Sequence, residues 1–585
     1  MSDYPIEDDA IDAIPAPSPL RIWPGLFILV AIPLQMFVPG LLVPRTMVHF
    51  ISFFAAPIVG TLAILGWWAF AARVRGHDRW LFPVLILGPV VALTATLFPT
   101  APMAIPVYLM PVVTGVWMIC AAATARISPE SRRVALIAVL IAGWAVVALL
   151  RFDGADGDLL PIFRWRWQPT EEELFLAERP GPTGPLDTGK SVVLGPGDWP
   201  GFRGSGRDSQ LLGVSIDTDW AAHPPELVWK HRIGPGWGSF AVADGKLFTQ
   251  EQRGGDEAVV CYAPDTGREI WEHREPTRFE EAMGGAGPRA TPTIHDGRIF
   301  AQGATGKLVC LDAATGRPHW TADLNADAGG VVPQWGYASS PLVIEGVVVV
   351  YAGGPSGKGT AAFSADSGKL AWAAGRAAHS YSSAHPATFG GVPQVLMVSD
   401  YGVESFRPKD GHLLWEHQLL EKGMNRVVQP TLVGDTDLVI GTGVGGNQGA
   451  RRLRVTKKGD DWDVQTAWTS KAIRPYFNDS VVYEGHLYGF DDSRFCCVDL
   501  SNGQEVWKEG LYGHGQVLLL ASQGILLIQA VDGKVVLVQA TPAEHNEIGK
   551  FTALKGKTWN HPVVAHGMLF VRNGQEAACY RLRTK

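Results

Sequence analysis

LDAATGRPHW, from Leu311 to Trp320, is a stretch that this chain writes several times over. YAPDTGREIW ends at Trp271, FSADSGKLAW at Trp372, FRPKDGHLLW at Trp415 and VDLSNGQEVW at Trp507. In each a Gly stands four residues before the Trp: Gly267, Gly316, Gly368, Gly411 and Gly503. Successive Trp residues lie 49, 52, 43 and 92 apart, and the double gap hides a worn copy, VTKKGDDWDVQTAW, ending at Trp468. A repeat of about 40–50 residues built from short strands and turns marks a β-propeller or a related array.

The motif has a physical reading. Asp or Ser followed by Thr and Gly makes a tight turn, with Gly supplying a positive φ. The strand after it delivers a Trp at a fixed offset, where the ring fills the space between neighbouring blades. These Trp residues are therefore expected to be packing elements.

Blades are expected to end near Trp271, Trp320, Trp372, Trp415, Trp468, Trp507 and Phe551. The last piece, TWNHPVVAHGMLFVRNGQEAACYRL, supplies three strands without a closing Trp, while PPELVWKHRI offers a spare strand with Trp229. Joining the two completes an eighth four-stranded blade and removes the exposed sheet edges. The fold predicted is all-β, an eight-bladed propeller over residues 198–585.

The composition divides the chain. Its 585 residues carry a net charge of −7 with 18% charged residues, which gives no global nucleic-acid footprint. Residues 1–20 are acidic and Pro-rich, a cytoplasmic tail lacking the basic start of a cleavable signal peptide. Residues 21–151 form a membrane anchor, with five apolar stretches at about 22–43, 47–71, 80–98, 104–124 and 133–150, each long enough to cross a bilayer as a helix. Arg21, Arg73, Arg75, Arg79, Arg126, Arg132 and Arg133 fall on one side, against Arg45 and Arg151 on the other. The positive-inside rule then puts the amino terminus in the cytoplasm and the propeller in the periplasm, beyond the inner membrane. No span carries an internal Asp, Glu, Lys or Arg, so the bundle reads as an anchor and not a proton relay. Residues 152–197 read as a Pro/Gly-rich linker.

The repeat resembles the pyrroloquinoline quinone (PQQ) superfamily, whose motif runs approximately A-x-D-x-x-T-G-x-x-x-W, over residues 198–583. That resemblance implies one of two kinds of protein. One is a non-catalytic, BamB-like scaffold for envelope proteins or ligands. The other is a PQQ-dependent dehydrogenase oxidising an alcohol or sugar, with Ca²⁺ beside the quinone and an Asp as base. The opening DWPGFRG and the later YFNDSVVYEGHLYGF resemble bacterial PQQ-like propellers of unassigned function. Cys496-Cys497 resembles the adjacent Cys pair of the alcohol dehydrogenases, yet Cys497 stands six residues before Gly503, as Cys261 and Cys310 stand before their own turns. Adjacent strand residues face opposite ways, so the pair reads as ordinary strand positions.

Counting six residues back from each turn Gly, or its equivalent, gives a ring of channel-facing positions: Ser239, Thr291, Ser340, His385, Gln429, Asp479, Leu518 and His561. With Trp237, Arg289, Trp335, Arg426, Arg474 and Asn478 nearby, they form a candidate ligand-binding set of polar groups rimmed by aromatics. Asp479 is the candidate base if the protein is an enzyme. No close-spaced ligand pair marks a metal site.

Overall fold

The computed structural model describes residues 20–42, 47–74, 76–155, 160–179, 181, 190–419, 427–441 and 449–584. The chain divides into two compact units, Met1–Asp153 with Pro161–Arg166, and Gly154–Leu160 with Trp167–Lys585.

Among the described residues the first unit contains five helical runs long and apolar enough to cross a membrane. They are α1 (Trp23–Leu42), α2 (Met47–Phe70), α3 (Asp78–Leu97), the run Ala104–Ala123 that ends in α4 (Met110–Ala123), and α5 (Pro129–Leu149). A π-helical turn, Ala104–Leu109, leads directly into α4. Pro33, Pro39, Pro57, Pro83 and Pro89 all lie inside helices. Rings of Trp68, Phe82 and Trp117 meet at 4.7–5.6 Å and join α2, α3 and α4. Asp78 at the start of α3 pairs with Arg133 of α5 at 2.6 Å. The Arg166 guanidinium donates to Leu97 O and Ala148 O, capping the orphan carbonyls of α3 and α5 together.

The second unit is the propeller, and its blade count is the expected eight. Each blade is a four-stranded antiparallel meander. Blades 1 to 7 cover residues 241–275, 293–323, 342–374, 385–418, 431–470, 481–511 and 516–552. Blade 8 takes three strands from residues 563–581, and its fourth is Glu226–Arg232, with Trp229 opposite Cys579. Gln210–Leu211 adds a short parallel strand along blade 7. The worn repeat forms blade 5, and Trp468 sits on its outer strand like the other repeat Trp residues.

The structure explains why the turn before the Trp holds a Gly. Each turn Gly lies against the Trp of the preceding blade: a Cβ on Gly316 would stand 2.4 Å from Trp271, and one on Gly368 would stand 2.6 Å from Trp320. Gly411 meets Trp372, and Gly503 meets Trp468, in the same way. The indole N–H also reaches across, Trp320 donating to Ala365 O at 2.9 Å and Trp372 to Pro408 O at 2.8 Å. The Gly is required twice, once for its φ and once for the ring beneath it. Trp415 and Trp507 are exceptions: Gly459, at the tip of blade 5's longer hairpin, meets nothing within 4 Å, and the matching turn of blade 7, residues 540–546, holds no Gly. The Trp415 indole turns instead to Gln394 of its own blade, and that of Trp507 donates to Thr541 O.

Cys496 and Cys497 are free thiols on opposite faces of one strand, buried in two different apolar clusters.

Candidate functional site at the channel mouth

A hydrogen-bonded belt runs around the inner strands. Ser239 N–H donates to Thr291 Oγ1 (2.8 Å), Thr291 N–H to Ser340 Oγ (3.0 Å) and Ser340 N–H to Ser383 Oγ (2.9 Å). Ser383 N–H then donates to Gln429 Oε1 (3.2 Å), and Gln429 N–H to Asp479 Oδ1 (2.8 Å). Ser239 Oγ donates to His561 O and ties blade 1 to blade 8. These side-chain oxygens satisfy backbone donors that the channel would otherwise leave bare. The polar residues at this level are thus, first of all, the rivets between blades.

Below the belt the channel is stopped by a segment from the DWPGFRGSGRDS stretch. Trp199 bridges to Val242 of blade 1, Pro200 O accepts from Ile294 N–H of blade 2, and Ser209 O accepts from Leu519 N–H of blade 7. Between these anchors Arg203 and Arg207 are 1% and 5% exposed. Arg203 Nη2 donates to Ser480 O, while Arg207 Nη1 and Nη2 donate to Pro341 O and Ser340 O. The plug crosses the channel and fastens blades 3 and 6.

Above the plug lies a cavity of about 190 Å³. Its floor is Phe202, Asp479, Gln429 and His561, and its walls are aromatic. Trp237 and Trp559 meet at 4.7 Å, and Phe477 touches Trp559 at 5.1 Å. Trp335 stacks on Tyr381 at 5.0 Å. Lys557 lies over the Trp559 ring at 4.5 Å. At the rim Arg289 pairs with Glu281 at 3.2 Å and donates to Trp335 O, Gly285 O and Gly287 O.

Charge at the floor is held in check by burial. Burial pushes the Asp479 carboxyl up, against the Arg203 guanidinium and the Gln429 N–H, which hold it down. Asp479 lies 3.4 Å from Arg203 Nε and 3.6 Å from His561 Nε2. His561 is pushed down to about 3 by burial and by Arg203, so it is neutral here.

Of the residues counted from sequence, the structure brings Trp237, Arg289, Trp335, Gln429, Asp479 and His561 together around one cavity. Three stand elsewhere. His385 lies one pleat beyond the belt, whose place in blade 4 is taken by Ser383. Asn478 is fully buried, its amide bonded to Tyr476 N–H and Gly515 O. Arg474 is an exposed residue paired with Asp491 at 2.6 Å. Arg426 lies outside the described residues. Leu518 belongs to the apolar core, and Gln516 lines the cavity instead. Counting also missed Phe202, Arg203 and Arg207, which no repeat spacing reaches because the plug precedes the first blade.

Among the described residues the donor chemistry does not suit a calcium-held quinone. Calcium takes six to eight oxygen ligands, several of them carboxylate. Asp479 is committed to Gln429 N–H and Arg203, while Glu281 accepts from Met283 N–H, Gly284 N–H and Arg289. Asn478 points both amide atoms into the backbone. Among the described residues no three His, Cys, Asp or Glu side chains gather as a metal site.

Fold and repeat together define an eight-bladed propeller of PQQ-like repeats, preceded by five apolar helices. Residues 255–509, just under half of the chain, match the family model described as "Outer membrane protein assembly factor BamB". Among curated proteins no sequence matches the chain. Similar solved structures include BamB from Moraxella catarrhalis, at 15% identity, covering 61% of this chain and 99% of that one, with a TM-score of 0.45. The quinohemoprotein alcohol dehydrogenase from Comamonas testosteroni is 12% identical, covering 66% and 80%, with a TM-score of 0.45. A europium-containing methanol dehydrogenase is 11% identical, covering 66% and 98%, with a TM-score of 0.42.

Proposed function

We propose that this protein is a membrane-anchored binding module of the bacterial envelope that performs no chemistry of its own. The five helices hold it in the inner membrane with residues 1–20 in the cytoplasm, and the propeller works in the periplasm. Seven basic residues against two at the span ends support that orientation. The propeller offers an aromatic-walled cavity and a rigid disc of loops to an envelope protein or ligand. The family model's description, an assembly factor of the outer membrane, supports protein partners.

The observation that carries the reading is the commitment of Asp479. A general base needs a carboxylate free to reach a substrate proton. Here one oxygen is a rivet between blades 5 and 6 and the other faces Arg203.

PQQ titration of the detergent-purified full chain tests it, followed by quenching of Trp fluorescence with and without Ca²⁺. No saturable quenching is expected at micromolar PQQ. Stoichiometric, calcium-dependent quenching would overturn the proposal and favour a quinoprotein dehydrogenase.

A further inference from the structure

The plug holds more positive charge than the channel answers. Arg203 and Arg207 are both buried, and among the described residues only Asp479 pairs with either of them. Each guanidinium is also one bond short. Arg203 uses Nε on Ser209 Oγ and Nη2 on Ser480 O, leaving Nη1 buried without a partner among the described residues. Arg207 uses both Nη atoms on Pro341 O and Ser340 O, leaving Nε in the same condition. So is Nε2 of His385, which is 1% exposed.

These three groups lie at one level of the bore. His385 follows the belt residue Ser383 by two, so both face the channel, with His385 one pleat deeper. At that depth Thr293 donates to Pro341 O and Thr431 to Ser480 O, the same two carbonyls that receive Arg207 and Arg203. Phe202 lies towards the cavity, under the Arg207 guanidinium at 5.7 Å and against His561 at 5.1 Å. The backbone here is held at a cost. Arg203, Arg207 and Ser209 hold φ values of 61°, 54° and 57°. Residues other than Gly keep such angles only where their surroundings over-determine them.

We propose that the bore at this level is a built site for a small monovalent anion of the halide class, held by Arg203 Nη1, Arg207 Nε and His385 Nε2–H. A water would satisfy the same N–H groups but leave the surplus charge buried, and an uncompensated buried charge is the costlier defect. One monovalent anion with Asp479 balances two guanidiniums. Burial and the two arginines push His385 well below its usual range, so it serves as a neutral donor. Arg207 is itself pushed down to about 9 by burial and by Arg203, the strain that an anion would relieve.

The test uses crystals of the full-length protein exchanged from chloride into bromide, with anomalous scattering recorded at the bromine edge. One bromide is expected within hydrogen-bond reach of Arg203, Arg207 and His385. Melting of the same protein in sodium chloride and in sodium gluconate, at equal ionic strength, should show a saturable, chloride-specific rise in Tm. Arg207→Gln removes the surplus charge and should abolish that rise. If this variant does not fold, His385→Phe, which deletes a donor and no charge, should weaken it. A fully bonded water in place of bromide, or melting curves that coincide in the two salts, would overturn the proposal.

Discussion

Gly316 and Gly459 both turn the hairpin that leads into a repeat Trp, four residues before Trp320 and nine before Trp468, and they face different physics. Both hold a positive φ, 72° and 65°. A Cβ on Gly316 would meet the Trp271 ring at 2.4 Å, whereas one on Gly459 would meet nothing within 4 Å. Gly459→Ala should therefore cost only the backbone penalty, about 1 kcal/mol. Gly316→Ala adds overpacking against a buried indole and should cost about 3 kcal/mol or more. Urea melts of the two variants decide it. Equal losses would mean that the Gly is kept for its φ alone and that the Trp beneath it yields freely. The contrast also shows what one residue type can tell a reader of sequence. The motif Gly announced a turn, but its second duty belongs to a Trp more than forty residues earlier, in another blade.

Hairpin length is what separated the channel residues that could be counted from those that could not. In blades 1, 2, 3, 6 and 8 the position six before the turn Gly falls at the belt level, and Ser239, Thr291, Ser340, Asp479 and His561 were legible. Blade 4 pairs five residues on its inner strand, His385 to Phe389, and blade 7 closes through a four-residue turn between Leu520 and Ile525. Each shifts the count by two. A shift of two preserves the face of a strand and changes its depth, so the pattern looked intact while His385 and Leu518 sat one pleat too far. The helix Glu171–Glu178, α6, was illegible for another reason: it lies in a stretch whose composition reads as linker. Its Thr170–Glu173 capping box starts it, and ion pairs dock it on blade 1, Glu172 with Arg278 and Arg179 with Glu269 and Glu272. Burial works against the Glu272 charge, but hydrogen bonds from Arg274 and Arg179 and the Arg253 charge outweigh it, pulling the carboxyl from 4.5 to about 2. A depressed carboxylate stabilises the fold above its unfolded value, and that share is lost as pH falls from about 4.5 towards 2. Allowing for solvent screening of the partly exposed partners, the loss should be about 2 kcal/mol. Tm recorded from pH 5 to 2.5 should fall less steeply in Glu272→Gln than in the parent. Parallel curves would mean that this clasp contributes nothing to acid stability.

At the scale of the molecule, the ring is closed by the pairing of strands 355 residues apart in sequence, as the Arg581–Glu226 contact across blade 8 records. That seam is the one blade whose strands are not contiguous in the chain, and Trp229 stands opposite Cys579 within it. Cys579 is fully buried, and burial raises its thiol to about 12; Cys497, inside contiguous blade 6, is likewise buried and raised to about 12. Only thiolates react, and only exposed ones, so neither should label in the native state. The two thiols then report on different openings. If the seam parts before the other blades, Cys579 reacts by local opening and Cys497 only by global unfolding. Trp229→Ala removes the indole that lies beneath Gly267 and donates to Pro264 O, and the loss of a buried Trp costs about 3 kcal/mol or more. Cys579 labelling in mild urea should then quicken by about a hundredfold, measured by mass spectrometry of alkylated peptides, while Cys497 lags well behind. An equal acceleration at both positions would mean that the propeller opens as one cooperative body, with no weaker point at the strand that closes it.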